Sequence, residues 1–298
     1  MTLTSGTKLG PYEIQSPVSY THLDVYKRQP ESTEDDVPRS IESAVLSTGD
    51  KADTIAGMFS LGLIPSGSKD PFALRRQANG IVKVIAEKKL PLHLSNLMRD
   101  ARAGYKGSGA EKKFVDDAKF IESVRIFFRE RLEFYLKDVQ GYGYDVVKAV
   151  LAVDSDDIVD AVARAEAVKK VMHMPEFQAI GAACKRMRNI LRQAAEKNIE
   201  AAGKFEYLPE AADEEKNLMA YLDQKNPQVD EHRSRKEYLD ALIMLSTARD
   251  PVDRFFDKVM VMVEDERIRA NRLALLRTVL REFSTIADFS EIVAEGNN

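Results

Sequence analysis

A chain of 298 residues, 44% hydrophobic and 31% charged, has enough apolar mass for two domains with buried cores. Its 44 Lys and Arg against 48 Asp and Glu leave a net charge of −4, so any nucleic-acid contact has to come from local basic faces. A single cysteine, Cys184, excludes an intrachain disulfide framework and a multi-cysteine zinc site, and no apolar run approaches the roughly 20 residues of a membrane span. Few glycines and long apolar runs at helical spacing predict an all-α protein, and the start lacks a secretory pattern.

Residues 1–29 stand apart. MTLTSGTKLGPYEI resembles the opening of a bacterial Ser/Thr kinase domain, yet no G-x-G-x-x-G follows it and no HRD or DFG element comes later. SYTHLDVYKRQ resembles a translated sequencing adapter. Residues 1–29 are therefore read as a foreign or disordered segment and set aside from the fold.

From residue 30 the acidic, turn-rich PESTEDDVPRS leads to a helix predicted from about Ile41, with Ile55, Met58 and Phe59 on its apolar face. Gly62, Pro65, Ser66, Gly67 and Ser68 predict a loop. Asp70-Pro71 signals another helix, because Asp caps free backbone N–H groups and Pro fits a first turn. Ala78, Ile81, Val82 and Ile85 are its inner stripe, with Arg75 and Arg76 near its start. Gly62-x4-Gly67-Ser68-Lys69 has the outline of a phosphate loop, but Ser precedes Lys and helix precedes the loop, so it reads as structural. Gly104 to Gly109 is the clearest break and places a domain boundary at 106/107.

Beyond it, Phe114, Ala118, Ile121, Phe128, Leu132 and Tyr135 predict one long helix, ended by the glycines of 140–144 and followed by a short helix over 145–153. Ser155 is the predicted cap of the next, whose buried side is Ile158, Val162, Ala165, Val168 and Met172. Over 176–200, Phe177, Ile180, Cys184, Met187, Leu191 and Ala194 step by three and four as an inner stripe. Lys185, Arg188 and Arg192 follow their own such spacing beside Arg186 and Asn189, a cationic outer face suited to phosphate oxygens or to plain solvation. Residues 203–234 predict loop with one helix over 213–222 and a turn at Asn226-Pro227; 238–245 then begins a last helical layer.

The final stretch, 249–289, reads as two helices and a joint. Asp250-Pro251 starts the first, with Val252, Phe255, Phe256, Val259, Met260 and Val263 as its buried face. Glu264, Asp265 and Glu266 suit the N-terminal end of the second, since acids complement the positive end of the helix dipole. Its inward side is Ile268, Leu275, Leu276, Val279, Leu280 and Phe283, with Arg269, Arg277 and Arg281 on or near another face.

GDKADTIAGMFSLGLIPSGSKDPFALRRQANGIVKVIAEKKLPL, FFRERLEFYLKDVQGYGYDVVKAVLA and FFDKVMVMVEDERIRANRLALLRTV resemble the bacterial glycyl-tRNA synthetase beta-subunit family from about Pro30 to Val293. The resemblance implies that 30–106 ends an HD-like helical domain and that 107–298 is a helical anticodon-binding region of the arginyl-tRNA synthetase (DALR) kind. It implies a subunit that holds the anticodon arm of glycine tRNA in ATP-dependent aminoacylation, beside an alpha subunit in a cytoplasmic heterotetramer. ATP and glycine would be handled by that alpha subunit, with no cofactor in this chain. The residues it points to are Lys185, Arg186, Arg188, Asn189 and Arg192, then Arg269, Asn271, Arg272, Arg277 and Arg281, with Arg75 and Arg76 as further tRNA contacts. The apolar residues around Arg272 also allow a structural role for it. Asp50 resembles the late Asp of metal-dependent HD domains, but the upstream histidines are missing, so it reads as a capping or ion-pairing residue.

No nucleophile or metal centre is visible. His93, His173 and His232 lie outside ligand spacings, Cys184 falls on an apolar stripe, and neither G-x-S-x-G nor the ATP motifs of the two synthetase classes appear. The alternative to RNA binding is a non-enzymatic helical module using the same faces against protein.

Overall fold

The computed structural model describes residues 8–9, 12–13, 36–70 and 72–292, and the fold is all-α. A two-residue antiparallel pair, Lys8–Leu9 with Tyr12–Glu13, is the only strand pairing among them besides an isolated bridge between Ser66 and Lys69. Most of the segment set aside at 1–29 lies outside the described residues. The chain divides into two compact units at Arg131/Leu132, inside a helix, rather than at 106/107.

In the first unit, α1 (Ile41–Ser60) starts where the Ser40 hydroxyl accepts the Ser43 N–H at 3.2 Å. α2 (Leu74–Lys88) is capped from outside its first turn: the Asp70 carboxylate accepts the N–H groups of Leu74 and Arg75 at 2.8 and 3.0 Å. Both α2 and α3 (Leu94–Ala103) pack on α1, and the predicted stripe of Ala78, Ile81, Val82 and Ile85 is fully buried. The loop at 66–69 closes through reciprocal backbone bonds between Ser66 and Lys69 and follows a helix, so it lacks the strand-to-helix setting of a phosphate cradle. Asp50 sits mid-helix and exposed on α1, so it is not a helix cap, and its charge acts on the neighbouring Lys51.

The glycine-rich stretch folds back onto α1. Tyr105 donates to the Asp53 carboxylate at 3.0 Å, and a Cβ at Gly57 would meet the Tyr105 hydroxyl at 2.7 Å. Arg102 donates to the Val115 carbonyl at 2.6 Å and lies over Phe120. α4 (Asp117–Phe134) begins after Asp116, whose carboxylate accepts the Lys119 N–H; the predicted Phe128, Leu132 and Tyr135 are buried, and only the first turns depart from the predicted stripe. Phe120, Val124, Phe127 and Phe128 are buried, whereas Ala118 is exposed and Phe114 precedes the helix.

Lys51 on α1 is 3% exposed, with its ammonium donating to the Ser47 hydroxyl at 2.9 Å. Burial pulls its pKa down to about 8, outweighing the raising effect of Asp50. A base with a lowered folded-state pKa holds fewer protons folded than unfolded between that value and its ordinary one. Stability therefore rises with pH across about 8 to 10.5. Urea midpoints measured at pH 7 and pH 10 should show this gain in the parent chain and lose it in Lys51→Met; an unchanged pH dependence in the variant would contradict the assignment.

In the second unit the end of α4 widens into a π-helical turn, Tyr135–Val139, followed by Gly141 with φ 69°. α5 (Tyr144–Leu151) leads to α6 (Ile158–Val171), whose cap is Asp157, accepting the Asp160 N–H at 2.9 Å, and not Ser155. α7 (Pro175–Glu196) carries the predicted stripe, with Phe177, Ile180, Cys184, Met187 and Ala194 all buried. α8 (Asp213–Ser234) runs straight through Asn226-Pro227, where a turn was predicted. Leu218, Leu222 and Val229 lie on its buried side before and after the proline, and their packing offsets the one backbone bond that Pro removes. α9 (Tyr238–Ser246) and α10 (Arg249–Lys258) follow, and α10 starts one residue before Asp250, leaving that acid in the first turn instead of at the cap.

α10 ends earlier than the apolar spacing predicts. Val259 is extended and Met260, expected inside, is 73% exposed. α11 (Glu266–Phe283) is capped by Asp265 through the Ile268 N–H at 2.9 Å, within the predicted acidic start. A terminal 3-10 turn, Phe289–Glu291, packs on α5 and α7, while α7 also contacts α10 and α11. α8 lies against α9, α10 and α11. No helix among the described residues is long and apolar enough to cross a membrane.

Candidate nucleic-acid interface

α7 is held on its inner side by Cys184, Met187 and their neighbours, so its outward side is fixed by the 3.6-residue turn. Lys185, Arg186, Asn189 and Arg192 emerge there and are exposed. Lys185 and Asn189 have no bonding partner among the described residues. Arg192 approaches Glu196 at 3.7 Å, an exposed i,i+4 pair that leaves most of its donors in water. Arg186 makes no ion pair among the described residues; its guanidinium lies 4.2 Å from the centroid of the Phe256 ring.

Arg188, on the same helix, is committed elsewhere. It pairs with Asp288 and, at 3.4 Å, with Glu291, while Glu291 also takes Lys148 at 2.7 Å. Phe289 packs edge-on against Phe177, and the Phe289 carbonyl would be 3.3 Å from a Cβ at Gly181. Arg188 thus fastens the terminal turn to α7.

The cations of α11 divide the same way. Arg269 donates to the Val263 and Glu264 carbonyls at 2.9 and 3.1 Å, tying down the joint before the helix. Asn271 is buried and exchanges both of its amide groups with the backbone of Glu206, at 2.8 and 2.9 Å. Arg272 pairs with Glu215, which is fully buried, at 2.8 Å and donates to the Met260 carbonyl at 2.7 Å. Arg277 spends one nitrogen on the Ala202 and Gly203 carbonyls but remains exposed. Among the described residues Arg281 pairs only with the adjacent Glu282, and it is exposed. Of the first-unit candidates, Arg75 is half-buried and Arg76 exposed on α2.

Sequence spacing thus brought Lys185, Asn189 and Arg192 together correctly as an outer band. It missed Phe256, which it assigned to a buried face and whose ring instead supports Arg186. No local pattern announces a contact between residues 70 positions apart. It also missed Arg164, buried at 2% exposure in the midst of α6.

Cys184 is buried, and desolvation pushes its pKa up to about 12, which leaves a thiol with no nucleophilic character at neutral pH. His232 bonds to the Glu237 carboxylate at 2.8 Å, joining the end of α8 to the start of α9, with Asp240 nearby. The second unit's most extended exposed cationic surface is the band on α7.

The family model described as DALR anticodon binding domain matches residues 180–291, which begins inside α7 and ends in the terminal turn. The model described as Glycyl-tRNA synthetase beta subunit matches residues 20–152, starting within the segment set aside at 1–29. The glycine–tRNA ligase beta subunit of Acidobacterium capsulatum is 49% identical over 275 residues, 90% of this chain and 38% of that protein. The chain belongs to the glycyl-tRNA synthetase beta-subunit family. Beta subunits from Syntrophus aciditrophicus and Desulforamulus reducens are 40% and 38% identical, each over 87% of this chain and 36% of their own length. The chain therefore spans a little over a third of the beta subunits it matches. A protein-interaction module is not favoured, since residues 180–291 match the DALR anticodon binding domain model.

Proposed function

We propose that this chain is the tRNA-holding part of a glycine–tRNA ligase beta subunit. It grips the anticodon arm of glycine tRNA while an alpha subunit, in a cytoplasmic heterotetramer, uses ATP to activate glycine. No cofactor binds to this chain. The observation that supports this most is the coincidence of the anticodon-binding match at 180–291 with the exposed cationic band of α7. Lys185 and Arg192 are assigned to phosphates, with Arg281 and the open side of Arg277 as further backbone contacts. Arg188, Arg269, Asn271 and Arg272 leave the contact set because their polar groups are committed inside the protein. Arg75 and Arg76 stay as secondary tRNA contacts in the first unit.

Phosphate contacts release counterions, so affinity should fall steeply with salt. Titrating glycine tRNA and an unrelated tRNA at several salt concentrations tests this; binding that ignores salt, or that prefers neither RNA, defeats the proposal. In the double variant Lys185→Ala, Arg192→Ala the slope of log affinity against log salt should shrink by roughly 1.5, two phosphates' worth. Both side chains are exposed, so the fold should be retained. An unchanged slope would remove α7 from the interface.

A further inference from the structure

We infer that Arg186 and Phe256 form a stacking platform for one unpaired RNA base, whose edge is read by Asn189. This rests on the anticodon-arm reading above and assigns the part that recognises a base. The platform is built from the core outward. Phe255 of α10 is fully buried, and Phe256 meets it edge-on with ring centroids 5.3 Å apart and planes at 72°. That contact fixes the Phe256 ring at the junction of α10 with α7. The Arg186 guanidinium then sits 4.2 Å from the ring centroid.

This arginine is unlike the others of the second unit's candidate set. Arg188, Arg269, Arg272 and Arg277 are each held by carboxylates or carbonyls, which orient their donors inward. Arg186 is held by an aromatic face alone, with no hydrogen bond or ion pair among the described residues, and it is exposed. A guanidinium supported on one side presents a flat, weakly hydrated second side, the geometry on which unstacked bases settle. Ala182, Asn189 and Gln193 occupy the same exposed strip at helical spacing from Arg186. Ala182 leaves room for a base, and Asn189 carries two donors and an acceptor with no partner among the described residues, enough to bond a base edge. Lys185 and Arg192 lie seven residues apart along one edge of the strip and hold the neighbouring phosphates.

A phosphate contact and a stacking plane respond differently to one substitution. Arg186→Lys keeps the charge and removes the plane. Binding of a glycine tRNA transcript by the full chain would be measured for Arg186→Lys and Phe256→Leu, with 2-aminopurine placed in turn at each anticodon-loop position. The platform predicts about a tenfold loss of affinity in each variant with the salt slope unchanged. It also predicts that fluorescence quenching at one loop position is lost in both. Parent-like affinity and quenching in Arg186→Lys would overturn the platform while leaving the anticodon-arm reading intact. A parent chain that binds glycine tRNA no better than an unrelated tRNA would overturn both. Because Arg186 is exposed, its variant stays informative even where Phe256→Leu fails to fold.

Discussion

Replacing Arg164 by alanine should cost the second unit about 3 to 5 kcal/mol, among the largest effects available to a single substitution in this chain. The side chain is 2% exposed and every part of its guanidinium is engaged. Nε pairs with Asp160 at 2.7 Å; Nη1 donates to the Val150 and Ile286 carbonyls at 2.9 and 3.2 Å; Nη2 donates to the Asp154 carbonyl at 2.7 Å. One group thus ties the end of α5, the loop into α6 and the segment after α11, the last of these bonds reaching a carbonyl 122 positions from Arg164. Removal would leave the buried Ile286 carbonyl without its donor and strip the Val150 and Asp154 carbonyls of one each. Asp160 would keep only the Tyr238 hydroxyl and a distant Lys236 ammonium at 3.7 Å. That phenol is a dependable donor, because burial foremost, and then the bond to Asp160, push its pKa upward. Arg164→Lys should recover little, since a single ammonium cannot reach the same set of acceptors. Urea unfolding of the parent and both variants, followed by circular dichroism, checks this; a loss under about 1 kcal/mol would mean the network is dispensable. The consequence for RNA follows through the backbone: Ile286 leads into the turn that Arg188 clasps, so a loosened Arg164 site should also disturb α7.

What the sequence made legible divides along a physical line. Apolar stripes are written locally, so the buried side of α2 and of α7 could be read from spacing alone. Acids at helix starts were also local signals: Asp265 caps α11, and Asp70 accepts the first N–H groups of α2, although that helix begins at Leu74, past the Pro71 that the signal placed in its first turn. The misreadings came where tertiary packing overrides a local signal. Pro227 looks like a stop but lies within α8, and Met260 continues a helical pattern that the backbone abandons at Lys258.

The site was legible only in outline for the same reason. A run of cations shows which helix faces outward, but not which arginines already have acceptors. Arg188 and Arg192 sit four apart with the same spacing logic, yet one clasps Asp288 and the other points into solvent. The deciding partners are on the terminal turn, a hundred residues away. Arg164 offered no sign at all, because a lone arginine amid apolar helix positions reads as surface until its acceptors are seen.

The second large effect separates structure from recognition at Arg272. Glu215→Ala should destabilise the second unit by about 3 to 5 kcal/mol, since it strands a largely buried guanidinium. The Glu215 carboxylate is fully buried; one oxygen takes Arg272 Nε and Nη2 at 2.9 and 2.8 Å and the Ala212 N–H at 3.1 Å. Arg272→Met alone should cost a similar amount by leaving that carboxylate desolvated and unpaired. The double variant Glu215→Leu, Arg272→Met should cost much less than the sum, because a buried ion pair replaced as a unit by apolar groups of similar size leaves no orphan charge. Chemical denaturation across the four proteins yields the coupling energy, and simple additivity would show that the two groups do not depend on each other. The same four proteins decide whether Arg272 touches RNA. If its role is to hold α11 against α8, glycine tRNA affinity should fail in the single variants and return in the double one. If the double variant is well folded yet still deficient, Arg272 belongs in the contact set after all.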